Sequence, residues 1–171
     1  MKMRIWGPFS RLGAVVAVAA FAIDQIHKWW MLYVYGIGAK KIVTITPFFD
    51  LVLVWNQGIS YGLFQQDGEL GRYVLIAVMI LAVVFLIVWL AGCDSRLGAM
   101  ALGLVIGGAL GNIVDRVIHG AVADFFSFHA FGFHWYVFNL ADVAIVAGVG
   151  VLLYDSFSDR RGAASAGDSG G

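Results

Sequence analysis

The sequence predicts an α-helical integral membrane protein with four transmembrane helices and a small β-rich segment outside the membrane between helices 1 and 2. Three observations predict it. Of the 171 residues, 61% are hydrophobic and only 13% charged, and a mean hydropathy of +0.85 lies far from a soluble mixture. The apolar residues gather into separate stretches of a length that crosses roughly 30 Å of hydrocarbon at about 1.5 Å per residue. Between the first two stretches lie β-branched and aromatic runs split by Pro47.

The first span is read over residues 11–33. Leu12 to Ile23 is short and follows Lys2, Arg4 and Arg11, a pattern shared with secretory signal peptides. The apolar character resumes after Asp24 and Gln25 with Trp29, Trp30, Met31, Leu32 and Tyr33, an aromatic end suited to the membrane interface. Residues 40–64 form the β-rich segment, with two or three short strands in Lys41 to Pro47 and Phe49 to Trp55. In Asn56 to Phe64 glycines permit sharp turns and apolar residues remain available to dip into lipid. The second span, 72–92, rests on the uncharged run Val74 to Ala91. The third, 97–115, rests on Leu97 to Val114, uncharged and rich in glycine. The fourth, 138–156, contains a single acid, Asp142. Residues 1–159 read as one domain, and residues 160–171 as a disordered tail with nothing to bury.

Basic residues at Lys2, Arg4 and Arg11, in the turn Cys93 to Arg96, and at Arg160 and Arg161 place both termini in the cytoplasm by the positive-inside rule. Residues 34–71 and 115–137 then lie on the outer side, although Lys40, Lys41, Arg72 and Arg116 there weaken the bias. Eleven basic and eleven acidic residues cancel, leaving no global field to attract nucleic acid. The single cysteine, Cys93, cannot form an internal disulfide, and no His and Cys stand at ligand spacing, so neither a metal nor another cofactor is expected.

Charged groups within spans cost several kcal/mol unless paired or wet. Asp24 and Lys28, four apart, read as a helical ion pair. Gly107 to Gly111 offers a surface of small residues for a neighbouring helix. Asn112, Asp115 and Arg116 share one face if that helix continues, either tying helix ends together or cradling a peptide backbone. Asp142, three residues after Asn139, stands where a helix N-terminus favours an anion, and a plain cap would explain it. Asp124 lies on the same side, in a segment of aromatics and of His119, His129 and His134 that must return to the helix carrying Asp142, so the two acids could meet. Two carboxyls at a desolvated site cannot both ionise easily. One keeps its proton while the other acts as a base, which suits peptide hydrolysis. No Ser, Cys or His arrangement competes, since Cys93 lies on the opposite side and the histidines lack a paired nucleophile. A small transporter or proton channel is the alternative, disfavoured by the absence of an internal repeat, and a non-catalytic scaffold is a third reading.

Five blocks carry a resemblance that runs from about residue 20 to 155: Asp24-Gln25 with Lys28; Asn56-Gln-Gly-Ile-Ser60; Gly111-Asn-Ile-Val-Asp-Arg116; Gly120-Ala-Val-Ala-Asp-Phe125; and Phe138-Asn-Leu-Ala-Asp142. In this order they resemble the lipoprotein signal peptidases, the bacterial type II signal peptidase family. The resemblance implies an aspartic endopeptidase of the cell inner membrane, a hydrolase with its active site near the periplasmic face. It implies Asp124 and Asp142 as the catalytic pair. Asn56, Gly58, Asn112, Arg116 and Asn139 would hold the substrate backbone and the pair, and Asp24 and Lys28 would support the site from the first helix. Asp115, the rival partner for Asp142, is kept as a support that orients Arg116 or Asn112. The implied substrate is a diacylglyceryl-modified prolipoprotein, cut just before its lipidated cysteine by a monomer working among membrane lipids. Two departures, Tyr136 where many relatives have proline and His27 where a small hydroxylated residue is common, are expected to lie clear of the pair. Leu90 to Cys93 mimics the motif such an enzyme cuts but follows the second span at the cytoplasmic end, and is read as coincidence.

Overall fold

The computed structural model describes residues 6–58 and 69–168, the side chains of residues 69 and 158–168 excepted. Four helical stretches are long and apolar enough to cross a membrane: Ser10–Val34, Leu70–Ala91, Arg96–His119 and Leu140–Phe157. Helix α1 (Ser10–Trp29) starts where Ser10 Oγ accepts the Gly7 N–H at 2.9 Å. It runs into one π turn, Trp30–Val34, and the chain turns away at Gly36 in the left-handed region, φ 66°. Helix α2 (Glu69–Ala91) exposes Val78, Leu81 and Phe85. With Val15, Val18 and Ile26 on α1 and Val146 and Val149 on the last helix, they give an apolar surface that only lipid can solvate.

Helix α3 (Arg96–His119) is the inverse case, buried along most of its length and packed chiefly on α1 and on the last helix, α4 (Leu140–Asp168). Small residues let it sit there. A Cβ added at Gly107 would collide with the Ala17 carbonyl of α1, and one at Gly108 would come within 2.5 Å of the Ala141 carbonyl. Ser95 caps its start by accepting the Gly98 N–H at 3.1 Å, and Gly120, φ 77°, ends it. The helix therefore continues past residue 115, where the span was expected to end, and carries Arg116 with it. Helix α4 (Leu140–Asp168) likewise runs through most of the segment 160–171 expected to be disordered. The stretch after the apolar span contains alanine and arginine, good helix formers, and no proline to break the backbone pattern.

The sheet is larger than expected. Strands β1 (Val43–Thr46) and β2 (Phe49–Asn56) come from the segment between α1 and α2, as read from sequence. They are joined by β3 (Val122–Ala130) and β4 (Phe133–His134), which lie between α3 and α4. The order is β1-β2-β3-β4, all antiparallel, with Val54 opposite Asp124 and Asn56 opposite Val122. The aromatics of β3 had signalled only an interface, yet on alternate positions they also fit a pleated surface. Met31, Ile37, Ala123 and Phe125 form a buried cluster that fastens the sheet to the end of α1. The expected lipid-dipping residues 59–64 lie outside the described residues.

Candidate active site

Three elements deliver the site: the end of α3, the start of α4 and the central strand pair. The start of α4 is set by a reciprocal cap. Asn139 Oδ1 accepts the Asp142 N–H at 3.0 Å, and Asp142 Oδ2 accepts the Asn139 N–H at 3.2 Å. The expectation of a capping carboxylate therefore holds, but it uses only one oxygen. Asp142 Oδ1 accepts from Asn112 Nδ2 of α3 at 2.9 Å.

Asp124 enters from β3, 1% exposed. Its Oδ1 accepts from Asn139 Nδ2 at 2.6 Å and its Oδ2 from Asn56 Nδ2 of β2 at 3.1 Å. Asn139 thus holds both acids, one through its side chain and the other through its backbone. Burial, and next the charge of Asp142, push the Asp124 carboxyl up to about 7 from its ordinary 3.8, against the hydrogen bonds of Asn139 and Asn56 and the more distant Lys28 charge. A carboxyl so placed changes protonation near neutral pH, which a proton-sharing acid and base requires.

Behind this pair lies a second constellation. Lys28 Nζ sits 2.8 Å from Asp24 Oδ2 and 2.8 Å from Asp115 Oδ2, with all three side chains almost fully buried. Gln25 Nε2 adds donors to Asp24 and Asp115, each at 3.2 Å. Asp24 Oδ1 accepts the Ala141 N–H at 3.0 Å, pinning the first turn of α4, and Asp115 Oδ2 accepts the Ala123 N–H at 3.2 Å, pinning β3. Lys28 also reaches Asn112 Oδ1 at 3.3 Å, linking this cluster to the amide that holds Asp142.

The structure joins Asp24, Lys28, Asn56, Gly58, Asn112, Asp115, Arg116, Asp124, Asn139 and Asp142 in one connected set of contacts. Asp24 and Lys28 form the ion pair expected of them, but Asp115 completes it as a third member. Asp115, expected to orient Arg116 or Asn112, instead spends its carboxylate on Lys28 and Gln25 of α1 and on the Ala123 N–H of β3, because α1 packs against this face of α3. Arg116 grips the chain itself, with Nη2 on the Gly58 carbonyl at 2.8 Å and Nη1 on the Asn112 carbonyl at 3.2 Å. His119 packs on Trp55, and His129 pairs with Asp50 at 2.9 Å beside His134, so the imidazoles serve the sheet. His27 packs against Phe125 and Phe126.

Two residues were missed. Gln25 had only its place in a block, and its role needed α3 to be seen. Tyr136, expected to stand clear of the pair, accepts a hydrogen bond from Asn56 Nδ2, the group that also donates to Asp124. Beside Asp142 opens a mostly apolar cleft of about 640 Å³, walled by Trp135, Tyr136 and Phe138 and running along α4 past Val143 and Val146.

The family model for signal peptidase (SPase) II matches residues 16–158. The chain is 56% identical over 151 residues to a lipoprotein signal peptidase of Nitrobacter hamburgensis, covering 86% of this chain and 92% of that one. It is 51% identical over 160 residues to one of Methylocella silvestris, covering 94% of each. Among solved structures it is similar to a bacterial membrane enzyme determined by the in meso method at 2.3 Å resolution. That match has a TM-score of 0.69 and 25% identity, and covers 87% of this chain and 89% of the other.

Proposed function

This chain belongs to the signal peptidase II family and is a membrane-embedded protease that removes signal peptides from lipoprotein precursors; from that premise we propose that Asp124 and Asp142 are its reacting pair. The observation that carries the assignment is the single residue, Asn139, that holds both carboxylates where, among the described residues, no cation stands directly against either.

In this reading the pair shares one proton. The ionised carboxylate takes a proton from a water molecule as its oxygen attacks the scissile carbonyl carbon, while the protonated carboxyl donates to the carbonyl oxygen. The tetrahedral species collapses, the C–N bond breaks, and the proton taken from water passes to the leaving amine. Asn56, Asn112 and Asn139 keep the two carboxyls in place through their amide donors. Arg116, with Nη1 and Nη2 on the protein's own carbonyls, fixes the chain just past β2 at Gly58.

The substrate in this reading is a diacylglyceryl-modified prolipoprotein, cut just before the lipidated cysteine. The apolar cleft beside Asp142 opens along α4, where the acyl chains of such a precursor would lie at the lipid boundary. The pair sits at the helix ends opposite Arg11 and Arg96, so with the basic ends in the cytoplasm it faces the periplasm of a bacterial inner membrane.

Purified protein in lipid, given a diacylglyceryl-modified precursor and an unlipidated copy, is expected to cut only the first. Equal cleavage of both copies would overturn the lipid requirement, and no cleavage of either would overturn the substrate assignment.

A further inference from the structure

Tyr136 lies between β4 and α4, half-buried at the lip of the cleft beside Asp142. Its hydroxyl accepts from Asn56 Nδ2, and that nitrogen also donates to Asp124 Oδ2 at 3.1 Å. Asn56 Oδ1 is occupied as well, accepting the Gly58 N–H at 3.1 Å. A side-chain amide offers two protons and one oxygen, so the Asn56 amide is fully engaged by three different partners. Gly58 in turn presents its carbonyl to Arg116 at 2.8 Å.

The torsion that orients an asparagine amide is broad and roughly two-fold, so hydrogen bonds decide which way its nitrogen points. With only the carboxylate and the local Gly58 N–H to hold it, the amide plane can rock. The phenol gives it a third point, on an element separate from both β2 and β3. We propose that Tyr136 is a positioning residue for the reaction: by accepting one Asn56 amide proton it locks the amide so that the other is aimed at Asp124. This rests on the assignment of Asp124 and Asp142 as the reacting pair.

The test uses the full chain in lipid with the diacylglyceryl-modified precursor, comparing wild type, Tyr136→Phe, Asn56→Ala, the double variant and Asp124→Asn, with a melting temperature for each. Tyr136→Phe is expected to melt like wild type, to lose about tenfold in kcat, and to change KM by less than about twofold. In the Asn56→Ala background it is expected to cost less than about twofold more, because it acts through that amide. If Asn56→Ala is too slow to follow, the division between kcat and KM in Tyr136→Phe decides. Wild-type kcat in Tyr136→Phe, a rise in KM alone, or a full additional tenfold loss in the double variant would each overturn the proposal. Asp124→Asn separates the layers: if it cleaves normally the reacting pair is misassigned, whereas an inactive Asp124→Asn beside a normal Tyr136→Phe removes only the role of Tyr136.

Discussion

Two groups of carboxylates, all buried except the half-buried Asp142, sit side by side in this protein and are compensated in opposite ways. Asp24 and Asp115 share an ammonium between them, Lys28 at 2.8 Å from each, and spend their remaining acceptors on Gln25 and on backbone N–H groups of β3 and α4. Among the described residues Asp124 and Asp142 receive only neutral donors, the amides of Asn56, Asn112 and Asn139 and one backbone N–H. A cation held between two acids offsets their charge and makes them braces. Neutral donors orient a pair without neutralising it, so a proton must be shared, and a shared proton is what acid–base chemistry uses.

The contrast can be broken from either side. The largest effect is expected at the uncompensated pair, where Asp124→Asn or Asp142→Asn should lower cleavage of the lipidated precursor by about a thousandfold or more, as loss of an acid–base partner does, while the protein still folds. At the compensated cluster the large effect moves to stability. Lys28→Met leaves two buried acids facing each other and is expected to destabilise the fold by about 3–5 kcal/mol, read from thermal or denaturant unfolding in detergent. Asn139→Ala should fall between these, slowing turnover by about 10- to 100-fold with a modest fall in melting temperature, because it releases Asp124 and one member of the α4 cap together.

The smallest effect sharpens the comparison through pH. Asp124 holds its proton more tightly in the folded chain, at about 7, than at its ordinary 3.8. Its protonation therefore favours the fold fully below about pH 4, and that contribution is lost as pH rises through 7. Wild-type melting temperature is expected to decline across this window, and Asp124→Asn to flatten the decline. Cleavage by the wild type should fall on the alkaline side of neutrality, as the pair loses its shared proton.

The helices were legible because lipid imposes a length and an apolar composition that survive in the sequence, as in Val74 to Ala91. Strands β3 and β4 were not, since Phe125, Phe126 and Phe128 fit an interfacial segment as well as a strand, and pairing with β2 is a contact across two intervening helices. The acids were visible one at a time. Helical spacing put Asp115 near Arg116, but only the packing of α1 against α3 turns it to Lys28. The choice of Asp124 as the partner of Asp142 came from motif resemblance, and Asn139 now gives it a geometric basis. Tyr136 left no local signal, because its partner Asn56 is 80 residues away.

The most direct test of the division between braces and chemistry is one series of four variants, Asp24→Asn, Asp115→Asn, Asp124→Asn and Asp142→Asn, each measured for turnover of the lipidated precursor and for melting temperature in the same lipid. The account predicts that the last two lose turnover and keep their melting temperature, and that the first two lose melting temperature while their folded fraction still cleaves. An Asp115→Asn protein that melts like wild type but does not cleave, beside an Asp124→Asn protein that does, would contradict it.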